Sequence, residues 1–493
     1  MPRALLLSTA FMTSLASFAA AAPLQVAGDA SPTGLDPHVV TAFASVMINS
    51  NIYEGLTVLD KNLAVAPGVA ESWTVSPDGL AYVFNLNPKA TFHNGKAVTP
   101  ADVIASLNRV KDTKTASPYA IRFGMVADAS VTGANQVTFK LSAASAPLLS
   151  QLSVLAIMPA EPGDVQKVPI GTGPFKFKEW VPDTHILLER HEQYQDRASV
   201  KLDGIKWNIV PEAATRAVGL SGGTYQFLPG IDAATAQQLR GQPNVTILEA
   251  SDLAYSLVGM NTSKAPFDKP AVREALNYAL DRSQIVQAAY FGRAVPAGPL
   301  SPALTDFATP VGEFGCYKTD PEKAKALLKS AGIDGPLKVT FKVIGSLKQA
   351  VDASQVVQAQ LNKAGFDVSL EIQEQGKFVQ DWRNSNFDGF VSVNGGAPDP
   401  DDYFTRTFRT GGSTNVFKYT NPALDELLDK GRATADKAQR QGFYKQAQAI
   451  LACQGPVAHL AFGTSFTAMR SNVSGYETMG NRATRYLKQT EVK

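Results

Sequence analysis

The segment Asn394-Gly395-Gly396-Ala397-Pro398-Asp399-Pro400-Asp401-Asp402-Tyr403 concentrates more chemistry than any other part of the chain. Its two glycines leave backbone N–H and C=O groups open, its prolines hold a shape, and Asp399, Asp401 and Asp402 gather negative charge. The same carboxylates also suit a structural role, with Asp399 and Asp401 capping the turn and helix that follow. Tyr403, Arg406 and Arg409 recur at three-residue steps, so a helix sets them on neighbouring faces, where an arginine meets a carboxylate or forms a surface ion pair. Ahead of this loop, Phe387-Asp388-Gly389-Phe390-Val391-Ser392-Val393 reads as a strand that delivers it to a sheet edge, where ligands of open α/β sheets bind.

Catalytic machinery is scarce by comparison. The chain has no Gly-x-Ser-x-Gly elbow, Ser-x-x-Lys pair, phosphate loop or His-Glu-x-x-His helix, and His191-Glu192 lacks a second histidine. His38, His93, His185, His191 and His459 are scattered singly and read as surface or turn residues, and Cys316 and Cys453 lack zinc-type spacing. No cofactor, metal or catalytic set is therefore expected. Aromatic side chains offer walls instead. Phe43, Tyr255 and Phe408 fall near expected lobe junctions, where rings stack on a sugar, a heterocycle or an apolar side chain, or simply pack. Trp382 precedes the strand leading to the loop; Trp73, Trp180 and Trp207 read as core.

Helix and strand signals alternate along the whole chain. Leu80–Leu86 and Val137–Leu141 alternate with the period of half-buried strands. Between them Thr99-Pro100-Ala101-Asp102 starts a helix whose Val103, Leu107 and Val110 share a face. Asp320-Pro321 opens another helix, carrying Leu327 and Leu328 and ending at Gly332. A further helix around Val356–Ala364 ends at Gly365, before the strand Phe366-Val368-Leu370-Ile372. Helix, glycine and strand in repetition mean α/β lobes with crossover connections. With no repeat period and no low-complexity linker, the lobes are joined by more than one crossing strand.

The first residues read as an export signal. Arg3 precedes an apolar run from Ala4 to Ala22, and cleavage falls in the Ala19–Ala22 cluster, with no cysteine behind it to carry a lipid anchor. No later stretch is long and apolar enough to span a bilayer. The formal net charge is +2, falling to +1 without Arg3, and with no basic stripe the chain is not expected to bind nucleic acid. About 470 residues remain, more than one core serves, so two or more lobes are expected. Cys316 and Cys453 form an even pair in an oxidising compartment, which favours a disulfide over two buried thiols.

One further segment orders these pieces. In Ile170-Gly171-Thr172-Gly173-Pro174-Phe175-Lys176-Phe177, two glycines admit a close backbone neighbour and a proline leads into an alternating strand. Around it stand Leu35-Asp36-Pro37, Asn51-Ile52-Tyr53-Glu54-Gly55-Leu56, Ala70-Glu71-Ser72-Trp73 and Phe92-His93-Asn94-Gly95. Asn261-Thr262, Asp281-Arg282 and Ala364-Gly365-Phe366-Asp367-Val368 follow downstream. In this order the chain resembles the solute-binding proteins of bacterial ABC importers, in the peptide and nickel-binding family (family 5, cluster C).

That resemblance implies an α/β fold like the type II periplasmic binding proteins, two hinged lobes with an extra inserted N-terminal subdomain. Mapped through the motifs, 1–22 is the signal peptide, 23–43, 165–258 and 469–493 form lobe I, 44–164 the insert, and 259–468 lobe II. The hinge strands fall near Leu257–Asn261 and Ala461–Ala468. The implied product is a monomer in the periplasm that takes a small solute and hands it to an inner-membrane permease. The ligand-contacting set is then Phe43, Tyr255, Asn394, Gly395, Gly396, Asp399, Asp401, Tyr403, Arg406 and Phe408. Peptide-binding relatives resemble this loop but carry, a few positions before Asp-Pro, an acid that receives the ligand's α-ammonium. Here Gly396 stands there, which puts dipeptide binding in that mode in doubt. Nickel relatives carry an aromatic where Asn394 stands, and Leu152–Ile157 holds no arginine for an anionic chelate. An opine, sugar or other metabolite is the alternative cargo, and an exported hydrolase or chaperone the alternative class.

Overall fold

Two long antiparallel strands, Val245–Met260 and Val457–Arg470, carry the chain between its halves. The computed structural model describes residues 22–493, so the expected export signal lies, Ala22 apart, outside the described residues. The crossing strands form the middle of an eleven-stranded mixed sheet. On one side, Tyr255–Met260 pairs with Asn394–Gly389, followed by the parallel strands Leu337–Ile344 and Phe366–Gln373. On the other, Val457–Arg470 pairs with Phe227–Ile231, and then come Leu24–Gly28, Gly204–Ile209, His185–Arg190 and Phe175–Val181.

The crossing is not regular throughout. Its register slips between Ser251 and Tyr255 and again between Ser256 and Leu257. The unpaired stretch Asp252–Ala254 therefore lies just upstream of Leu257–Asn261, where the sequence placed the first hinge; from Leu257 to Met260 the ladder against Ser392–Gly389 is unbroken. Backbone groups released from the ladder find other partners, as buried peptide groups must. The Leu253 carbonyl accepts the Gly396 N–H at 3.0 Å, and the Leu253 N–H donates to the Gly480 carbonyl at 3.4 Å.

A separate four-stranded sheet, ordered Ala70–Val75, Ala81–Leu86, Gln136–Leu141 and Val126–Gly133, makes the inserted layer. Tyr82, Phe84 and Leu86 point inward in alternation and meet Val103, Leu107 and Val110 of the helix Pro100–Lys111. That helix starts where the sequence placed it, with the Thr99 N–H donating to the Asp102 carboxylate at 2.9 Å. The inserted core runs from Leu56 to Ile157. The helix Phe43–Ile52, expected within the insert at 44–164, instead buries Met47, Ile48 and Ile52 against Leu24, Ile205 and Trp207 of the first lobe. In the second lobe the helix Lys348–Lys363 begins well before Val356, and its Leu347 cap position carries no side-chain cap, so no start signal marked it.

Cys316 and Cys453, 137 residues apart, are disulfide-bonded with Cα atoms 5.6 Å from each other. Closing so long a loop is worth on the order of 4 kcal/mol in the chain-entropy account. The histidines depart from the surface reading. His38, His191 and His459 are buried, each against a carbonyl or hydroxyl partner: Ala156 at 2.8 Å, Gly173 at 3.2 Å and Tyr403 at 3.0 Å. Desolvation lowers His38 to about 4 and His459 to about 3, so both stay neutral.

The Gly171–Gly173 segment locks first lobe to insert. The Gly173 N–H donates to the Ile52 carbonyl at 2.9 Å, and the Gly173 carbonyl lies 3.1 Å from His93 Nε2. A Cβ at Gly171 would sit 2.1 Å from the Ile52 carbonyl oxygen, so only glycine fits. Gly171→Ala is expected to lower unfolding free energy by about 3 kcal/mol, the upper range of overpacking. Gly312→Ala, where nothing lies within 4 Å, serves as control in the same denaturant melts. Equal stability of the two variants would refute the close-approach account.

A candidate ligand-binding cleft at the crossing

The break in the crossing strands opens onto a cavity of about 310 Å³. Asp252, Leu253 and Ala254 form one wall, and Gly395 and Gly396 of the acidic loop lie beside them. Phe43 and Val46 come from the helix Phe43–Ile52, Tyr119, Arg122 and Ser153 from the insert, and Met479–Ala483 with Arg485 from the C-terminal segment. Both lobes and the insert thus contribute walls.

Of the ten residues singled out by sequence, Phe43, Gly395 and Gly396 line this cavity. Phe43 is 56% exposed, and the Arg482 guanidinium stacks over its ring at 4.6 Å. Arg406 donates to the Gly395 carbonyl at 3.0 Å and so steadies the loop from outside. Asn394 ends the strand Gly389–Asn394 opposite Tyr255. Tyr255, Tyr403 and Phe408 are core rather than wall. Tyr403 donates to the Tyr255 hydroxyl at 2.5 Å, and Phe408 is fully buried beside them.

Of the two carboxylates read as caps, Asp399 takes that role and Asp401 does not, lying in the first turn of the helix instead. Asp399 accepts the Asp401 N–H at 2.9 Å at the start of the helix Pro400–Phe408 and is clamped by Arg440 at 2.6 and 2.9 Å. Asp401 is buried against Arg432 at 2.9 Å and takes the Thr405 hydroxyl at 2.8 Å. Arg409 pairs on the surface with Asp429. Neither Asp399 nor Asp401 lines the crossing cavity, because each is held by an arginine of its own lobe.

Several cavity residues carried no sequence signal. Asp252, Arg122, Arg482 and Arg485 come from three distant segments without a shared motif, and only folding brings them together. Asp252 accepts the Ala254 N–H at 3.0 Å and forms a partly buried ion pair with Arg482. Gly396 is fixed by contact rather than by conformation: a Cβ there would meet the Leu253 carbonyl oxygen at 2.4 Å. The position matched to an ammonium-binding acid thus has no room for any side chain.

Residues 64–415 match the model of the bacterial extracellular solute-binding proteins, family 5 Middle. The chain belongs to that family. A dipeptide-binding protein of Escherichia coli is 28% identical over 95% of this chain and 94% of its own. The ABC transporter substrate-binding protein CtaP of Listeria monocytogenes superposes with a TM-score of 0.84 at 24% identity, covering 95% of this chain and 99% of that one. The periplasmic binding protein AgaA of A. tumefaciens R10, solved with agropinic acid, gives 0.76 at 25% identity, covering 96% and 99%. This family 5 solute-binding protein therefore has the α/β fold that its motifs implied, and its family binds solutes. Among the described residues no helix is long and apolar enough to cross a membrane.

One carboxylate of the binding protein remains poorly satisfied. Asp402 joins the second lobe to the insert, accepting Gln151 Nε2 at 2.6 Å through Oδ1 while Oδ2 is buried with no partner. Burial, reinforced by the Asp399 charge and opposed by Arg122, raises its pKa from 3.8 to about 6. Its ionisation is thus easier in the unfolded chain, and stability is lost as pH rises from near 4 through 6. Asp402→Asn removes that loss and should be more stable than the parent at pH 7 by on the order of 2 kcal/mol, converging with it below pH 4. Denaturant melts at both pH values test this; a parent chain as stable as the variant at pH 7 contradicts the buried-acid account.

Proposed function

We propose that this family 5 protein is the periplasmic receptor of an ABC importer, closing its lobes over a small peptide-like solute and presenting it to an inner-membrane permease. One observation carries the reading: the cavity lies at the irregular stretch of the crossing strands and takes walls from both lobes and the insert. A solute touching all of them stabilises the closed arrangement by its differential affinity for that state. The irregular stretch is the place where backbone can absorb rotation at small expense in ladder hydrogen bonds. The names of the relatives, a dipeptide-binding protein and an ABC transporter substrate-binding protein, support the importer role. In this reading the chain acts as a monomer without catalysis, exported by a cleaved signal and free of a lipid anchor.

A non-peptide metabolite such as an opine is the second reading of the cargo. The blocked position at Gly396 favours it, and AgaA holds agropinic acid in the same fold at 25% identity.

Small-angle scattering and melting across a panel of peptides, opines and sugars test the receptor role. The true cargo at 100 times its Kd should raise unfolding free energy by about 2.7 kcal/mol and reduce the radius of gyration. A bound compound that is chemically converted makes the protein a hydrolase, and capture of unfolded chains without sequence preference makes it a chaperone. Either result, or an unchanged envelope with every compound, rejects the receptor.

A further inference from the structure

The charges around the cleft are unequal. Its lining holds Arg122, Arg482 and Arg485 against a single carboxylate, Asp252. Asp252 is spent, with one oxygen on the Ala254 N–H and the other on Arg482. Arg485 faces Glu54 across 3.6 Å. Arg122 is half-buried, and its guanidinium makes no hydrogen bond or ion pair among the described residues; it lies 5.4 Å from the Tyr119 ring centroid and feels the Asp402 carboxylate only at longer range. A carboxylate entering the cleft finds a free guanidinium, the donor geometry that suits it best. An ammonium finds no free acid among the residues that line the cleft.

A side chamber of about 120 Å³ adjoins the cleft, sharing Val46, Tyr119, Ser153 and Val154 with it. Asn49 and Tyr53 line this chamber, each 6% exposed. Both the amide oxygen and the amide nitrogen of Asn49 are buried without a partner, as is the Tyr53 hydroxyl. Buried polar groups are almost always satisfied by protein, ligand or ordered water, and these three border one chamber, so they are available to pair with a polar group that enters it. Burial holds the Tyr53 hydroxyl far above its ordinary range, so it remains a neutral donor. Glu54 also borders the chamber, but its oxygens are already taken by Tyr194 at 2.7 Å and Gln195 at 3.1 Å. The unsatisfied set is therefore a donor and an acceptor on Asn49 and a hydroxyl on Tyr53, which matches an amide and leaves no charge for an ammonium.

We infer that the cleft selects a small carboxylate whose other end is an uncharged amide or hydroxyl group, with Arg122 meeting the anion and Asn49 with Tyr53 reading the neutral end. This rests on the receptor reading above and specifies its cargo. A free α-amine is disfavoured because the cleft gives it desolvation without a counter-charge.

Four probes separate the charges: N-acetyl-Phe-Ala, Phe-Ala, and the C-terminal amide of each, titrated calorimetrically with scattering to follow closure. N-acetyl-Phe-Ala should bind at least tenfold more tightly than Phe-Ala and than its own amide. Arg122→Gln should abolish the preference for acid over amide. Asn49→Leu should abolish the preference for acetyl over ammonium while leaving the melting temperature of the unliganded protein unchanged or higher, since the Asn49 side chain bonds nothing among the described residues. Equal or tighter binding of Phe-Ala or its amide overturns the inference. So does Asn49→Leu that lowers the unliganded melting temperature and keeps the selectivity, the mark of a purely structural amide. Failure of all four probes while another solute closes the lobes sinks this cargo class alone, whereas silence from every solute sinks the receptor.

Discussion

The fold depends on a gap in one ladder. Were Val245–Met260 paired without interruption to Val457–Arg470, the sheet would run continuously through both lobes and leave no opening at its centre. The slip at Ser251–Tyr255 releases the backbone of Asp252–Ala254, and that backbone is then shared out. The Leu253 carbonyl goes to Gly396 and its N–H to Gly480, so loop and C-terminal segment are tied to the same residue. The cleft is the space those ties enclose. Its position follows from hydrogen-bond accounting before any side chain is considered.

Charge is distributed with the same economy. The acidic loop, the most suggestive stretch of sequence, spends Asp399 on Arg440 and Asp401 on Arg432, both partners supplied from within the second lobe. These pairs brace the start of the helix Pro400–Phe408 and hold the loop at the angle that presents Gly395 and Gly396. Breaking a buried pair of this kind by removing one member strands a charge, which is why such acids are poor candidates for a group that must release its ligand on delivery. The Arg122 guanidinium, without an ion pair among the described residues, sits instead on the insert, a separate layer with its own core.

Much of the framework was legible in the residues. Thr99-Pro100-Ala101-Asp102 announced a helix and its buried face, Gly171 and Gly173 announced a tight approach, and alternation marked the strands Ala81–Leu86 and Gln136–Leu141. These signals are local, so they survive without tertiary context. The helix Phe43–Ile52 was misassigned to the insert because its burial is nearly all-round and does not reveal which core it joins. His38, His191 and His459 were misjudged because a lone polar residue says nothing of the carbonyl or hydroxyl that will meet it. Of the residues around the cavity and its side chamber, Phe43, Gly395 and Gly396 could be singled out from loop and aromatic chemistry, whereas Asp252, Arg122, Arg482 and Asn49 could not. Their meaning is relational, set by which of them keep a partner once separated segments converge.

The contact between Gly396 and Leu253 also constrains how such a cleft diversifies. A carboxylate cannot be introduced at 396 by one substitution, because its Cβ would strike the carbonyl that terminates the ladder gap. The strand must first be reshaped to move that carbonyl away. Placing any side chain at 396 thus requires two coupled changes, the strand first and the residue second, so this point of the cleft is held by backbone and not by side-chain choice.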